Sequence, residues 1–137
     1  MIKKIITDQF VLSQKSTSAT QEDIFVAYDL LDTLKANEER CVGMAANMIG
    51  FLKNIIVVKD GKDDLVMFNP VILKLSGKTY FAEEGCLSHQ GTQSVKRYEK
   101  IKIQYNDFEF KTKIKTFKGM TAQIIQHEID HCKGILI

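Results

Sequence analysis

Met120-Thr121-Ala122-Gln123-Ile124-Ile125-Gln126-His127-Glu128-Ile129-Asp130-His131-Cys132-Lys133 is the stretch on which the reading of this chain turns. Ile124, Ile125 and Ile129 recur at helical spacing and Gly134 stands where a helix would stop, so Met120 to about Lys133 is predicted to be a helix. Residues four apart on a helix lie one above the other on the same face. His127 and His131 can therefore reach one metal ion, with Glu128 projecting beside them. A divalent ion lowers the pKa of bound water toward neutrality, and a neighbouring carboxylate can take the proton and pass it to a leaving group. The arrangement suits a metal hydrolase. Catalytic sites of this kind use three protein ligands and keep a fourth position open, so the helix is one ligand short. Spacing offers Cys86, His89, Glu83, Glu84, Cys41 and Cys132 and does not choose among them.

Working outward, Ile24, Ala27, Tyr28, Leu31 and Leu34 predict an amphipathic helix from Thr20 to about Arg40, with Thr20 and Asp23 resembling a capping box. Between Asn54 and Gly119 the pattern turns to short β-rich runs: Ile55–Val58, Leu65–Phe68, Val71–Leu75 and Ile101–Tyr105, separated by turn residues such as Asp60-Gly61 and Asn106-Asp107. Alternation from Phe108 to Phe117 suggests one more strand paired back across that turn. Helix, strands and helix without regular alternation predict an α+β fold whose sheet is antiparallel.

The chain has 137 residues, which fits a single domain over 1–137. Its 45% hydrophobic and 26% charged residues exclude disorder. A net charge of +2, with basic runs broken as in Lys111-Thr112-Lys113-Ile114-Lys115, reads as a solvated strand face, and no stable nucleic-acid binding is expected. Lysines interrupt the opening Met1-Ile2-Lys3-Lys4-Ile5-Ile6 before an apolar core develops, so neither export segment nor membrane span is expected. Cys41, Cys86 and Cys132 are an odd set without short pairing, which favours a reducing compartment, the cytoplasm, over a disulfide framework.

Three stretches together resemble the motifs of peptide deformylases: Cys41-Val42-Gly43-Met44-Ala45-Ala46-Asn47-Met48-Ile49-Gly50, Glu84-Gly85-Cys86-Leu87-Ser88 and Gln126-His127-Glu128-Ile129-Asp130-His131. Order and spacing match, and the likeness extends through Phe68-Asn69-Pro70 and Val95–Ile101. The resemblance implies antiparallel sheets packed around a C-terminal metal-binding helix. It also implies Cys86, with His127 and His131, as ligands of one divalent ion per chain, Fe(II) first and Zn, Ni or Co as substitutes. The implied reaction removes the N-formyl group from formylmethionyl nascent chains and releases formate, with transient ribosome contact. Glu128 would shuttle the proton and the Leu87 backbone N–H would stabilise the oxyanion. Val42, Gly43 and Ile124, with His127, match positions that hold the peptide and its methionine side chain. Glu84 and Arg97 match an acid–base pair that braces the metal loop.

The chain departs from this pattern in places. Met48 stands where the first motif ordinarily ends in a glutamine whose amide donates to the oxyanion. Either Asn47 or water replaces that donor, or the protein is a weakened or specialised relative acting on another small formyl or amide substrate. Cys41 replaces the motif's first glycine, and His89 and Gln90 follow Ser88 where relatives commonly place an apolar residue and proline. The six residues after His131 resemble the compact forms of Gram-positive bacteria.

Overall fold

The computed structural model describes residues 1–137 throughout. In chain order the elements are α1 (Gln9–Leu12), α2 (Ile24–Ala36), β1 (Gly43–Ala45), β2 (Ile55–Asp60), β3 (Asp63–Gly85), β4 (Thr92–Asn106), β5 (Thr112–Lys118) and α3 (Gly119–Cys132), with 3-10 turns at Gln21–Asp23 and Ala46–Ile49. The strands form one antiparallel sheet in the order β1-β2-β3-β4-β5. This is the α+β arrangement the sequence predicts, in a single hydrogen-bonded sheet.

Local chemistry sets the element ends. The Thr20 side chain accepts from the Glu22 N–H, and Asp23 accepts from the Thr20 N–H, so the capping box forms and leads through the 3-10 turn into α2. The helix stops at Ala36, short of the predicted Arg40. Asn37 closes it by donating its side-chain amide to the Thr33 carbonyl at 2.8 Å and its backbone N–H to the Leu34 carbonyl at 3.0 Å. The helix α3 ends as expected at Gly134, which takes φ +77°. Its N–H reaches the His131 carbonyl and that of Ile135 the Asp130 carbonyl, both at 3.0 Å, which is a Schellman closure.

Two strand predictions change. The runs Leu65–Phe68 and Val71–Leu75 belong to one strand, because the pairing of β3 with β4 shifts register between Phe68 and Val71, where Pro70 costs no ladder bond. Asn69 supports that kink with φ +54°, exchanging hydrogen bonds with the Ala19 backbone. Phe108 and Phe110 lie outside β5. Both pack on Phe68, with ring centroids at 5.6 and 4.8 Å, while the Asp107 carboxylate accepts the N–H groups of Glu109 and Lys111 in a tight turn.

Helices cover both faces of the sheet. Ile55, Val57, Val66 and Phe68 face a core with Val26, Leu30 and Leu34 of α2, whereas Ile56, Val58, Met67, Ile101 and Ile103 face one with Ile124, Ile125 and Ile129 of α3. That is why β2 reads as a continuous apolar run. The paired strands β3 and β4 continue to Gly85 and Thr92, and their hairpin carries Cys86 to the side of α3.

Candidate active site

Helix α3 turns His127 and His131 to one side, and the residue that follows β3 brings Cys86 against them. The Cys86 sulfur lies 3.4 Å from His131 Nε2, which is 3.0 Å from His127 Nε2. Of the candidates for a third ligand, only Cys86 joins the histidines in a group whose ligand atoms all lie within 4.8 Å of one another. One thiol and two imidazoles form a donor set suited to a divalent transition ion. Without an ion, burial and the charge of His127 hold His131 down at about 3, a neutral imidazole able to donate its lone pair, whereas at His127 hydrogen bonds to Cys86 and Glu84 outweigh burial and raise it to about 10, so an ion would bind there in place of a proton.

Around this group the contacts are buried and charged. His127 Nδ1 pairs with Glu84 Oε1 at 2.8 Å, which fixes the ring and leaves Nε2 facing the other donors. Arg97 grips both Glu84 oxygens through Nε and Nη2 at 2.9 and 2.7 Å, and reaches Asp130 on α3 through Nη1 at 2.6 Å. Arg97 is 3% and Glu84 7% exposed, so the bracing pair lies in the interior. Burial works against the charge on Glu84, but hydrogen bonds from His127 and Arg97 outweigh it and hold the carboxyl down at about 2. Glu128 is also buried. Its Oε1 has no partner, and burial pushes the carboxyl up to about 7.

These groups open on a cavity of about 440 Å³ walled by Val42, Gly43, Met48, Leu87, Ile124 and Gln123 among others. Val42 is exposed at its mouth, while Ile124 is shared between the cavity and the core. The Leu87 N–H donates to nothing within the protein. Gly43 is buried, and a Cβ there would lie 2.7 Å from Ile124 Cγ2 and 3.0 Å from Glu128 Oε2. The room left by its missing side chain is therefore occupied by α3.

The family model for polypeptide deformylase matches residues 2–137. The chain belongs to the polypeptide deformylase family. A peptide deformylase of Clostridium beijerinckii is 53% identical over the whole of both chains, and one of Dictyoglomus thermophilum is 39% identical over 82% of this chain and 72% of its own. Solved deformylases share the fold. That of Thermotoga maritima has a TM-score of 0.90 at 26% identity, covering 99% of this chain and 95% of its own. The class I type b enzyme of Acinetobacter baumannii with Met-Ala-Ser bound has a TM-score of 0.88 at 28%, covering 99% and 97%. Membership makes the chain a metal-dependent hydrolase of protein biosynthesis that removes the formyl group from nascent peptides. A relative so similar from end to end disfavours a specialised substrate.

Within this deformylase site Met48 is 1% exposed and lines the cavity, bringing a thioether where an amide donor was expected. Asn47 does not face the cavity in its place. Its amide donates to the His131 carbonyl at 2.9 Å and braces the end of α3. His89 is half-buried, its ring stacked toward His131 with centroids 6.5 Å apart. Asp130, Asn47 and Gln126, whose amide bonds both backbone groups of Tyr98 at 2.9 Å, are site supports that the sequence did not announce.

Proposed function

We propose that this chain, acting as one domain over residues 1–137, deformylates formylmethionyl nascent chains with Cys86, His127 and His131 holding one divalent ion. Fe(II) is the native ion in this reading, with Zn, Ni or Co able to substitute. The observation that carries it is the grouping of three ligand atoms within 4.8 Å beside a buried carboxylate oxygen that has no partner. An ion bound there would supply Lewis acidity and lower the pKa of a water it holds.

The chain's own residues do the rest. Glu128 takes the proton and returns it to the departing amine, a role supported by its unpartnered Oε1 and by burial that brings its pKa to about 7. The unpaired Leu87 N–H donates to the oxyanion of the formyl carbon, releasing formate. The peptide lies extended along β1, which is the sheet's edge strand, and its methionine side chain enters the cavity between Val42 and Ile124. Glu84 keeps His127 in the tautomer that presents Nε2. The setting is the cytoplasm, with transient contact at the ribosome where the substrate emerges and without stable nucleic-acid or membrane binding. No helix is long and apolar enough to cross a membrane.

The test is formate release from a formylmethionyl tripeptide by protein prepared without oxygen and loaded with Fe(II), with kcat and KM determined separately. A kcat of about 1–10³ s⁻¹ is expected. Glu128→Gln should keep its metal by elemental analysis and lose about 10²–10⁴ in kcat. Substantial turnover in that variant would remove Glu128 from the proton transfer.

A further inference from the structure

The ladder between β1 and β2 determines which backbone groups of β1 are free. Lys59 donates its N–H to the Val42 carbonyl at 2.8 Å, and the register pairs Gly43 with Val58 and Met44 with Val57. In an antiparallel pair, residues alternate between those whose N–H and C=O face the neighbouring strand and those whose groups face away. Val42 and Met44 face β2, so the N–H and C=O of Gly43 point to the open edge of the sheet. These are the groups to which an incoming peptide strand would bond.

The Gly43 carbonyl already has a partner. The thiol of Cys41, two residues back in the chain and half-buried in the wall of the same cavity, donates to it at 2.9 Å. The thiol therefore competes for the carbonyl to which the first ladder bond would be made.

We infer that Cys41 is a positioning residue that caps the Gly43 carbonyl, so that a peptide adds to β1 only by displacing the thiol. The inference rests on the strand-addition reading given under the proposed function. A thiol is a weak donor and an amide N–H a stronger one, so a peptide can win the exchange and the cap tunes affinity without closing the groove. Bound peptide frees the thiol to rotate, and the chemistry at Cys86 and Glu128 is untouched. The effect falls on binding.

The experiment compares metal-loaded wild type, Cys41→Ala, Cys41→Gly and Cys41→Ser by calorimetric titration with Met-Ala-Ser, a readout that does not depend on turnover. Removing the competing donor in the Ala and Gly variants should tighten binding about two- to tenfold, the usual reach of one net hydrogen bond. Serine keeps a donor, and a stronger one than the thiol, so it should bind the peptide no more tightly than wild type. An N-methyl scan of the peptide supplies the second arm. The analogue lacking the amide hydrogen that faces Gly43 should gain nothing from Cys41→Ala. Unchanged affinity in the Ala and Gly variants would mean that the carbonyl serves both donors through its two lone pairs, and weaker binding would mean that the thiol supports the peptide; either result overturns the inference. Formate release by the wild type is measured separately, so loss of the proposed function and loss of this inference remain distinct results.

Discussion

At position 48 a buried thioether faces the cavity in which, on the proposed function, the Leu87 N–H would be the donor to the oxyanion. Losing one side-chain donor costs about 10²–10³ in kcat in another hydrolase. Met48→Gln should return part of that, raising kcat by about tenfold with KM nearly constant, and parallel steady-state kinetics would reveal it. An unchanged kcat would mean that the site already has a sufficient donor. Glu84 permits a pH prediction whose sign is fixed by its depressed pKa. Because the folded-state value lies near 2 against an ordinary 4.5, its contribution is fully present above pH 4.5 and is lost as pH falls toward 2. Denaturant titration of metal-free protein should find Glu84→Gln less stable than wild type at pH 6 by about 2–3 kcal/mol, with the gap closing between pH 4.5 and 2. A gap independent of pH would assign the loss to packing. His127, Glu128 and His131 were legible from helical spacing, whereas Cys86 was singled out only by the resemblance of its motif, and the fold brings it to the two histidines. The bracing contacts of Asp130 and Gln126 were not legible, and Asn47 was read as a donor to the oxyanion and not as a brace, because their partners lie 33, 28 and 84 residues away and only the folded chain brings them together.

The elements were legible where periodicity was strong and misjudged where a special backbone position intervened. Strand β3 runs through Pro70 because the register shift there removes the need for its missing N–H, a compensation invisible in the residue pattern. The alternation of Phe108 and Phe110 reflects an aromatic cluster on Phe68, where apolar spacing alone reads as a strand. The end of α3 was legible because a glycine in that position has a specific conformational use. A Cβ at Gly134 would lie 2.5 Å from the Ser13 carbonyl oxygen, in a residue at φ +77°. Gly134→Ala should therefore cost about 1–3 kcal/mol, read by thermal or urea unfolding. A neutral outcome would show that the segment around Ser13 yields without cost.

Across the whole molecule, the site joins the tip of the β3–β4 hairpin to α3, with Arg97 spanning Glu84 and Asp130 and the Cys86 sulfur against the histidines. An ion shared by these ligands would fasten the two elements together. At a thousandfold excess over its Kd such an ion stabilises by about 4 kcal/mol, so chelation should lower Tm by about 10–15 °C in a chain of this size. Calorimetry with and without chelator measures this, and a Tm indifferent to chelator would argue against an ion in that position. The layer order was only partly legible, since the continuous apolar run of β2 implies cover on both faces but does not say which helix lies on which. Gly43 has a further consequence for how such a chain changes over generations. With α3 filling the space beside it, a mutation that adds even a methyl group at 43 must be accompanied by one that shortens residue 124 or shifts Glu128, and on the proposed function Glu128 would not be free to move without loss of activity. The first motif and the helix are thus constrained as a pair, and a chimera that joined this α3 to a first motif carrying a side chain at 43 would bring the two into collision.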